Sequence, residues 1–117
     1  MSTFTAACVQ LTSKGDVVEN LKTATALIRE AASAGADFIA TPEVTNMLEP
    51  RKAEARAKAQ LQEDDITLKT FQSLAEETGK WILAGSLVIK KPDDERLANR
   101  SFLIRPDGRI AAQLSLI

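Results

Sequence analysis

Apolar and polar positions follow short, distinct patterns along the chain. Phe4 to Leu11 is a short, mostly apolar run, and Asp37 to Ala40 is a second one, as is typical of buried strands. Between them, apolar residues recur every three or four positions, which predicts one buried helix face: Val17, Leu21, Ala24, Ile28 and Ala31. The opening of the chain therefore predicts a strand-helix-strand unit of the kind that builds parallel sheets.

The ends of this first helix carry recognisable signals. Asp16 is placed to cap the free amides of the first turn, and Glu19, three residues on, completes a pattern like a capping box. Gly35 suits the left-handed backbone position that commonly ends a helix. These residues predict where the helix begins and ends.

Two more helices are predicted after the second strand. Pro50 to Gln62 is rich in helix formers, but its apolar stripe is mostly alanine and its charges are typical of a solvated surface helix. Asp64 or Asp65 can cap the next helix, which Gly79 ends. That helix has a stronger apolar face to pack on the sheet: Leu68, Phe71, Leu74 and Ala75.

The last third of the chain predicts three strands. Lys80 to Lys90 is nearly continuous in apolar character, and Gly85 within it indicates a bulge or a close approach by another chain or a ligand. Arg100 to Arg105 resumes extended structure, Pro106-Asp107-Gly108 is a hairpin signal, and Arg109 to Ile117 returns antiparallel. The predicted order is β-α-β-α-α-β-β-β, an α/β fold in which residues 1–117 form a single unit.

Composition and charge narrow the functional classes. The chain has 117 residues, 44% of them hydrophobic, and its fifteen basic and sixteen acidic residues give a net charge of -1. These charges are scattered, which argues against a nucleic-acid groove or an anionic membrane surface as partner. No apolar run is long enough to span a membrane, and "MSTFTAACVQL" lacks the pattern of a signal peptide. A cytoplasmic protein without a cofactor is expected.

The chain offers few groups for catalysis. It contains one cysteine, Cys8, and no histidine, which excludes an internal disulfide, a Ser-His-Asp triad and a histidine-ligated metal from within these residues. Cys8 lies inside the first predicted strand, where a cysteine is most often a small buried hydrophobe. Carboxylates and lysines are the remaining candidates.

Glu43 is the most conspicuous carboxylate, because it follows Pro42 directly where the second apolar run stops. Ligands of such sheets usually meet the carboxyl ends of the strands, and partial burial there would raise the pKa of a glutamate and suit it to general base catalysis. The alternative is a solvated first residue of a loop. The spacing alone does not decide between these interpretations.

Four segments, taken in order, carry a resemblance to a known family: "AACVQL", "NLKTATALIREAASAGADFIATPEVTN", "WILAGSLVIK" and "LANRSFLIRPDGRIAAQ". Together they resemble the N-terminal part of the nitrilase superfamily, or carbon-nitrogen hydrolases, and most closely its small amidase branch. The similarity extends from Phe4 to about Gln113. It implies part of an αββα sandwich, so that residues 1–117 would be the N-terminal portion of a larger hydrolase domain.

The resemblance also implies a reaction and its residues. In this family the glutamate of the Pro-Glu element is the general base, a lysine on a later strand stabilises the oxyanion, and a more distant cysteine is the nucleophile. By that resemblance Glu43 is the base, and the substrate is a small amide or nitrile. Homo-oligomers are common in the family. Unpaired strand edges and uncovered apolar residues, expected at Val88, Leu103 and Ile104, also favour self-association.

The chain departs from the family where the lysine is expected. That position falls on Leu116, and the region of the nucleophilic cysteine is absent from these residues. Cys8 is not its replacement, and Lys80, Lys90 and Lys91 are interpreted as solvated ends of a strand rather than as the missing cation. The chain is therefore either an incomplete hydrolase sequence or a short, non-catalytic remnant that serves as an interaction or structural module.

Three polar residues near the third strand have open roles. In the family, residues near Asn99 and Arg100 help to hold the site together, while a turn role for Asn99 is equally compatible with the sequence. Ser86 is interpreted as a small residue that packs where space is tight.

Overall fold

One mixed β-sheet with helices against one face makes up the structure, a computed structural model that describes residues 3–116. The elements are β1 (Ala6–Cys8), α1 (Val17–Ser33), β2 (Phe38–Ala40), α2 (Lys52–Lys58), β3 (Gln60–Leu61), a 3₁₀ turn (Gln62–Asp64), α3 (Ile66–Thr78), β4 (Trp81–Lys90), β5 (Leu97–Ile104) and β6 (Ile110–Leu116). The α/β class is confirmed. The order agrees with the predicted one except for the added β3.

The sheet has the order β1-β2-β4-β5-β6. The first three of these strands run parallel, and β3 adds parallel to the far end of β4. The antiparallel hairpins β4-β5 and β5-β6 complete the sheet. Crossover connections through helices explain why the parallel strands β1, β2 and β4 come from the part of the chain that alternates strands with helices.

The predicted helix ends are largely confirmed. Asp16 accepts a hydrogen bond from the Glu19 amide at 3.1 Å, but the Glu19 carboxylate pairs with Lys22 at 3.3 Å rather than closing a capping box. Gly79 ends α3 with φ 68°, and Gly35 follows α1 with φ 100°. Within residues 3–116 no helix is long and apolar enough to cross a membrane.

The surface helix is shorter than predicted. The helix expected over residues 50–62 is confined to α2, and its last predicted residues leave the helix at Ala59, which is extended. Gln60 and Leu61 instead pair with Ile89 and Lys90 as β3. Pairing with the exposed edge of β4 thus overrides the local helix propensity of this segment.

The hydrophobic core lies between the sheet and the helices. Ile28, Phe71, Ile82 and Phe102 are fully buried there, and the apolar stripes predicted for both long helices face it. Ile104 belongs to this core at 0% exposure, so the prediction that it lacks a covering layer is wrong. Its strand position places it on the helix-covered face, where α3 and β4 enclose it.

The other face of the sheet has no covering layer among residues 3–116, and we call it the open face. Strand register places one row of small and apolar residues across it: Cys8, Ala40, Leu83, Leu103 and Ala112. Leu114 is 65% exposed and Trp81 is 38% exposed. An apolar face of this extent is unusual on a monomeric surface.

The cap of α3 predicts a pH-dependent stability. Asp65 is buried and accepts the Leu68 amide at 2.8 Å. Burial raises its pKa, against the opposing hydrogen bonds from the Leu68 and Thr67 amides. Because the pKa of Asp65 is higher in the folded than in the unfolded protein, its contribution to stability is largest below the unfolded-state pKa. That contribution is lost as the pH rises through the folded-state pKa. Asp65→Asn, which keeps a capping oxygen, should therefore raise the free energy of unfolding at neutral pH.

Urea denaturation at two pH values tests this expectation. The gain from Asp65→Asn should be largest near pH 7 and small near pH 3, where the carboxyl group is largely neutral in both states. Asp65→Ala removes the cap and should cost about 1 kcal/mol. If Asp65→Asn and Asp65→Ala lower the free energy of unfolding equally at pH 7, ionisation of Asp65 does not weaken the fold.

Candidate functional site

Glu43 lies beyond the end of β2, on residues 41–46, which we call the Glu43 loop. Its side chain is exposed among residues 3–116, as in the alternative of a solvated loop residue. The reason is that Thr41, Thr45 and Asn46 occupy the inward positions of the loop and are buried. The loop is therefore packed against the protein while Glu43 itself reaches solvent.

The Glu43 loop runs along the same edge of β4 as β2 and β3. Strand β2 pairs with β4 as far as Leu83, and β3 pairs from Ile89 onward. In the gap between them, the Thr45 amide donates to the Ser86 carbonyl at 3.0 Å. Where regular strand pairing stops, the backbone of the loop thus takes the place of a paired strand. This pairing holds the backbone on which Glu43 lies.

Ser86 is the main attachment point of the loop. Its hydroxyl oxygen accepts the Val44 amide at 2.8 Å, and its own amide donates to the Pro42 carbonyl at 3.4 Å. The side chain is completely buried. The interpretation of Ser86 as a small packing residue is therefore wrong, since its hydroxyl holds the residue next to Glu43.

Gly85 allows the loop to approach β4 closely. A Cβ atom at this position would lie 2.6 Å from the carbonyl carbon of Pro42 and closer still to the Thr41 carbonyl oxygen. The register between β4 and β5 shifts between Ala84 and Leu87. The predicted bulge is confirmed, and the segment that approaches Gly85 closely is this chain's own backbone at Thr41 and Pro42.

Two asparagines tie the far end of the loop to the rest of the fold. The Asn46 side chain accepts the Val88 amide at 2.9 Å and donates to the Val88 carbonyl at 3.0 Å, as a paired strand would. Asn20, buried on α1, donates to the Asn46 carbonyl at 3.0 Å. Sequence reasoning missed Asn20, although its position four residues before Ala24 places a polar group on the buried stripe.

Val44 has an uncommon backbone conformation. Its φ of 47° lies in the left-handed region, which costs a residue with a Cβ atom about 1–2 kcal/mol. A β-branched residue is especially rare there. The hydrogen bonds to Ser86 hold it in place, and such over-determined strain is frequent at functional sites.

A cavity of about 470 Å³ adjoins the loop. Its apolar lining comes from the loop, the segment after it, α2 and the strands: Val44, Met47, Leu48, Ala55, Val88 and Leu97. Charged residues of α2 and of the turn before β5 complete it: Lys52, Arg56, Glu95 and Arg96. Glu49, at its rim, is clamped by Arg51 at 2.9 Å and Lys58 at 3.0 Å, and these hydrogen bonds lower its pKa to about 2. The cavity has the size and lining of a small-molecule site. Within residues 3–116 no group of three or more carboxylate or thiol side chains could hold a metal ion.

Comparison with known proteins decides the family. The family model described as carbon-nitrogen hydrolase matches residues 5–115 of the chain. The chain belongs to the carbon-nitrogen hydrolase family. The resemblance stated from the sequence is thereby confirmed at the level of the family.

Similar proteins agree with this assignment. Hydrolase C26A3.11 from Schizosaccharomyces pombe is 28% identical over 109 residues, which are 93% of this carbon-nitrogen hydrolase chain and 33% of that protein. The NitFhit protein of C. elegans superposes with a TM-score of 0.88 at 25% identity, over 96% of this chain and 27% of that one. The NitN amidase from Nesterenkonia sp. AN1 matches with a TM-score of 0.78 at 19% identity, over 96% of this chain and 43% of that one. The chain thus spans about a third of the length of the curated relative.

The register of this carbon-nitrogen hydrolase sheet brings two further sequence-predicted residues to the region of the loop. Val88, which Asn46 contacts, pairs with Asn99, and Asn99 pairs with Leu116. Directly opposite residues share one face of the sheet, so these three side chains form a row on the open face. Asn99 lies within β5, so the alternative that it forms a turn is wrong. Its buried Oδ1 has no hydrogen-bond partner among residues 3–116.

Arg100 does not join this row. It lies on the helix-covered face, where it donates to Ser115 and Gln62, both at 2.8 Å. Alternate residues of a strand face opposite sides, which separates Arg100 from its neighbour Asn99. Arg100 therefore does not hold the Glu43 loop.

Cys8 and the lysines lie outside the loop. Cys8 is exposed on the open face beside Ala40, so the prediction of a buried thiol is wrong; residues 3–116 supply no layer to cover it. Lys90 is exposed as predicted, whereas Lys80 pairs with Asp37 at 3.7 Å and Lys91 is half-buried. None of these groups contacts the Glu43 loop by a hydrogen bond or an ion pair within the described residues.

Proposed function

We propose that this chain forms the N-terminal portion of an amidase-type carbon-nitrogen hydrolase in which Glu43 is the general base. Membership of the family supports hydrolase chemistry in general. One observation carries the assignment of Glu43: the loop that presents it is fixed on both sides by Ser86 and Asn46, with strained backbone at Val44. A fixed backbone that leaves one carboxylate accessible is what a catalytic base requires.

The proposed reaction uses groups that the rest of a longer protein would supply. The Glu43 carboxylate takes the proton of a cysteine thiol, and the thiolate attacks the carbonyl carbon of an amide. A cation stabilises the resulting oxyanion, and ammonia leaves with the returned proton. Water, deprotonated by the same carboxylate, then hydrolyses the thioester to the carboxylic acid. Of these groups, the chain is proposed to supply the base.

Small amides are the proposed substrates. The Nesterenkonia amidase has been solved with butyramide, a short aliphatic amide, in a variant that lacks a cysteine. The cavity beside Val44 has a largely apolar lining and a volume of about 470 Å³, which would accommodate a short acyl chain beside the Glu43 loop.

A non-catalytic role is the alternative, and one residue favours it. Leu116 stands where the family resemblance places the oxyanion lysine, and its row on the sheet offers no cation to Asn99. An oxyanion donor typically contributes about 3 kcal/mol to lowering the barrier, so its loss leaves very little activity. A chain of this kind would then act as an interaction or structural module.

Two assays distinguish these functions. A longer protein that contains this chain together with the oxyanion lysine and the nucleophilic cysteine should release ammonia from small aliphatic amides. If it shows no turnover, the interaction or structural role is favoured. The 117-residue chain alone should release no ammonia, because it supplies the base alone. Activity of the short chain that disappears in both Glu43→Gln and Cys8→Ala would show that Cys8 is a nucleophile after all.

We also propose that the chain self-associates in the cytoplasm through the open face. Leu114 and Trp81 expose apolar surface there, and β1 and β6 leave strand edges unpaired within residues 3–116. Light scattering of the purified chain should show oligomers, and Leu114→Lys should shift the population toward monomer, whereas Val18→Lys on α1 should not. A monodisperse monomer with a cooperative denaturant transition would contradict this prediction.

A further inference from the structure

A second cleft lies on the helix-covered face of the sheet, between the 3₁₀ turn, α3 and the ends of the β4, β5 and β6 strands. We call it the basic cleft. It has a volume of about 390 Å³, comparable with small-ligand sites in general. Four basic residues and one acidic residue line it: Lys69, Lys90, Lys91, Arg100 and Glu63. The chain as a whole has a net charge of -1, so the positive charge of this cleft is a local feature and not a property of the whole surface.

No carboxylate among residues 3–116 forms an ion pair with any of these four cations. Asp94 is within electrostatic reach of Lys91, but its carboxylate is already bound by Arg96 at 2.8 Å. Asp93 and Glu95 line a neighbouring depression that also contains Lys90 and Lys91. With four cations and the one Glu63 carboxylate, the basic cleft therefore has an excess of positive charge, and none of its cations is ion-paired within the described residues.

Arg100 gives the cleft a fixed donor. Its Nε donates to the Ser115 hydroxyl and its Nη1 to the Gln62 side-chain oxygen, and Gln62 in turn donates to Gln113 at 2.9 Å. All of these partners are neutral, so they orient the guanidinium without cancelling its charge. The Nη2 atom makes no hydrogen bond within the described residues. A held guanidinium with an unused edge is well suited to bind the oxygens of an anion.

We propose that the basic cleft binds a small phosphate-bearing molecule with at least two negative charges. The basic residues come from α3, the end of β4 and β5, so an anion with several charged oxygens can contact more than one of them, which a single carboxylate does less well. Arg100 lies on the face of the sheet opposite Asn99, so the site is independent of the proposed hydrolase function. Its ligand would be anchored by Arg100 and contacted by the lysines beside it.

Equilibrium dialysis of the purified 117-residue chain against pyrophosphate tests the proposal, and it does not require a monomeric protein. Saturable binding should weaken about tenfold in Lys91→Gln and in Arg100→Gln, as expected for the loss of one charge-assisted contact. Lys22→Gln removes an exposed positive charge from α1, outside the cleft, and should leave binding unchanged. Binding should also fall with rising salt, while acetate at equal ionic strength should not compete.

Two results would overturn the inference. The first is the absence of saturable pyrophosphate binding to the folded wild-type chain. The second is an equal loss in Lys22→Gln and Lys91→Gln, which would indicate non-specific attraction. Arg100→Gln also removes contacts to Gln62 and Ser115, so circular dichroism should verify that this variant is folded. If it is not, the binding measured for Lys91→Gln tests the proposal alone.

Discussion

Replacing Gly85 with alanine lowers the free energy of unfolding by about 3 kcal/mol, at the upper end of overpacking effects. The added methyl group would lie 2.6 Å and 2.7 Å from the carbonyl carbon and oxygen of Pro42, and nearer still to the carbonyl oxygen of Thr41. Because these are backbone atoms, no side chain can rotate away to make room. The Glu43 loop must therefore separate from β4, and its hydrogen bonds with Ser86 weaken.

Denaturant unfolding followed by Trp81 fluorescence measures this loss. Gly15→Ala is a matched control, because the methyl group there would meet the ends of the Glu49 and Lys58 side chains at 3.1 Å, and these can move. The control should change stability by less than about 1 kcal/mol. If Gly85→Ala unfolds at the same denaturant concentration as the wild type, the loop does not approach β4 as described.

Glu43→Gln in a longer, active protein that carries this chain should lower kcat at least about a hundredfold, since general base catalysis commonly contributes that much. The melting temperature should not change, because the Glu43 side chain is exposed and makes no hydrogen bond or ion pair within residues 3–116. Activity and stability should therefore separate. A combined loss of both would support a purely structural role in the loop.

Two neighbouring carboxylates make this measurement specific. Glu54→Gln removes an exposed carboxylate from α2 and should change neither activity nor melting temperature. Glu49→Gln removes one that is 4% exposed and bound by Arg51 and Lys58, so it should lower the melting temperature. Among the three variants, only Glu43→Gln should lose turnover while keeping its stability.

Local signals in the sequence predicted the elements well. Asp16 and Asp65 cap helices, and Gly79 ends one, because each of these effects depends on residues within one turn of the helix. The apolar stripes of α1 and α3 likewise follow from periodicity alone. The helix predicted over residues 50–62 was too long, because Gln60 and Leu61 gain more from pairing with β4 than from continuing a helix.

The candidate site was predictable only in part. Glu43 and Gly85 stand out in the sequence, one by its position after Pro42 and the other by interrupting an apolar strand. The hydrogen bonds that hold the loop do not stand out in the sequence. Ser86 and Asn46 form them with residues about forty positions away along the chain. Nothing in their local pattern distinguishes a serine that holds a loop from one that fills space.

By itself, the sequence determined the α/β class, the order of the helices and long strands, and the position of Glu43 after the second strand, because backbone propensity and apolar periodicity are local properties. Only the tertiary structure decided which of these residues are buried. Cys8 and Glu43 are exposed while Ile104 is enclosed, since burial depends on which face of the sheet another element covers. The same holds for the Glu43 loop, whose conformation is imposed by hydrogen bonds from β4 and α1.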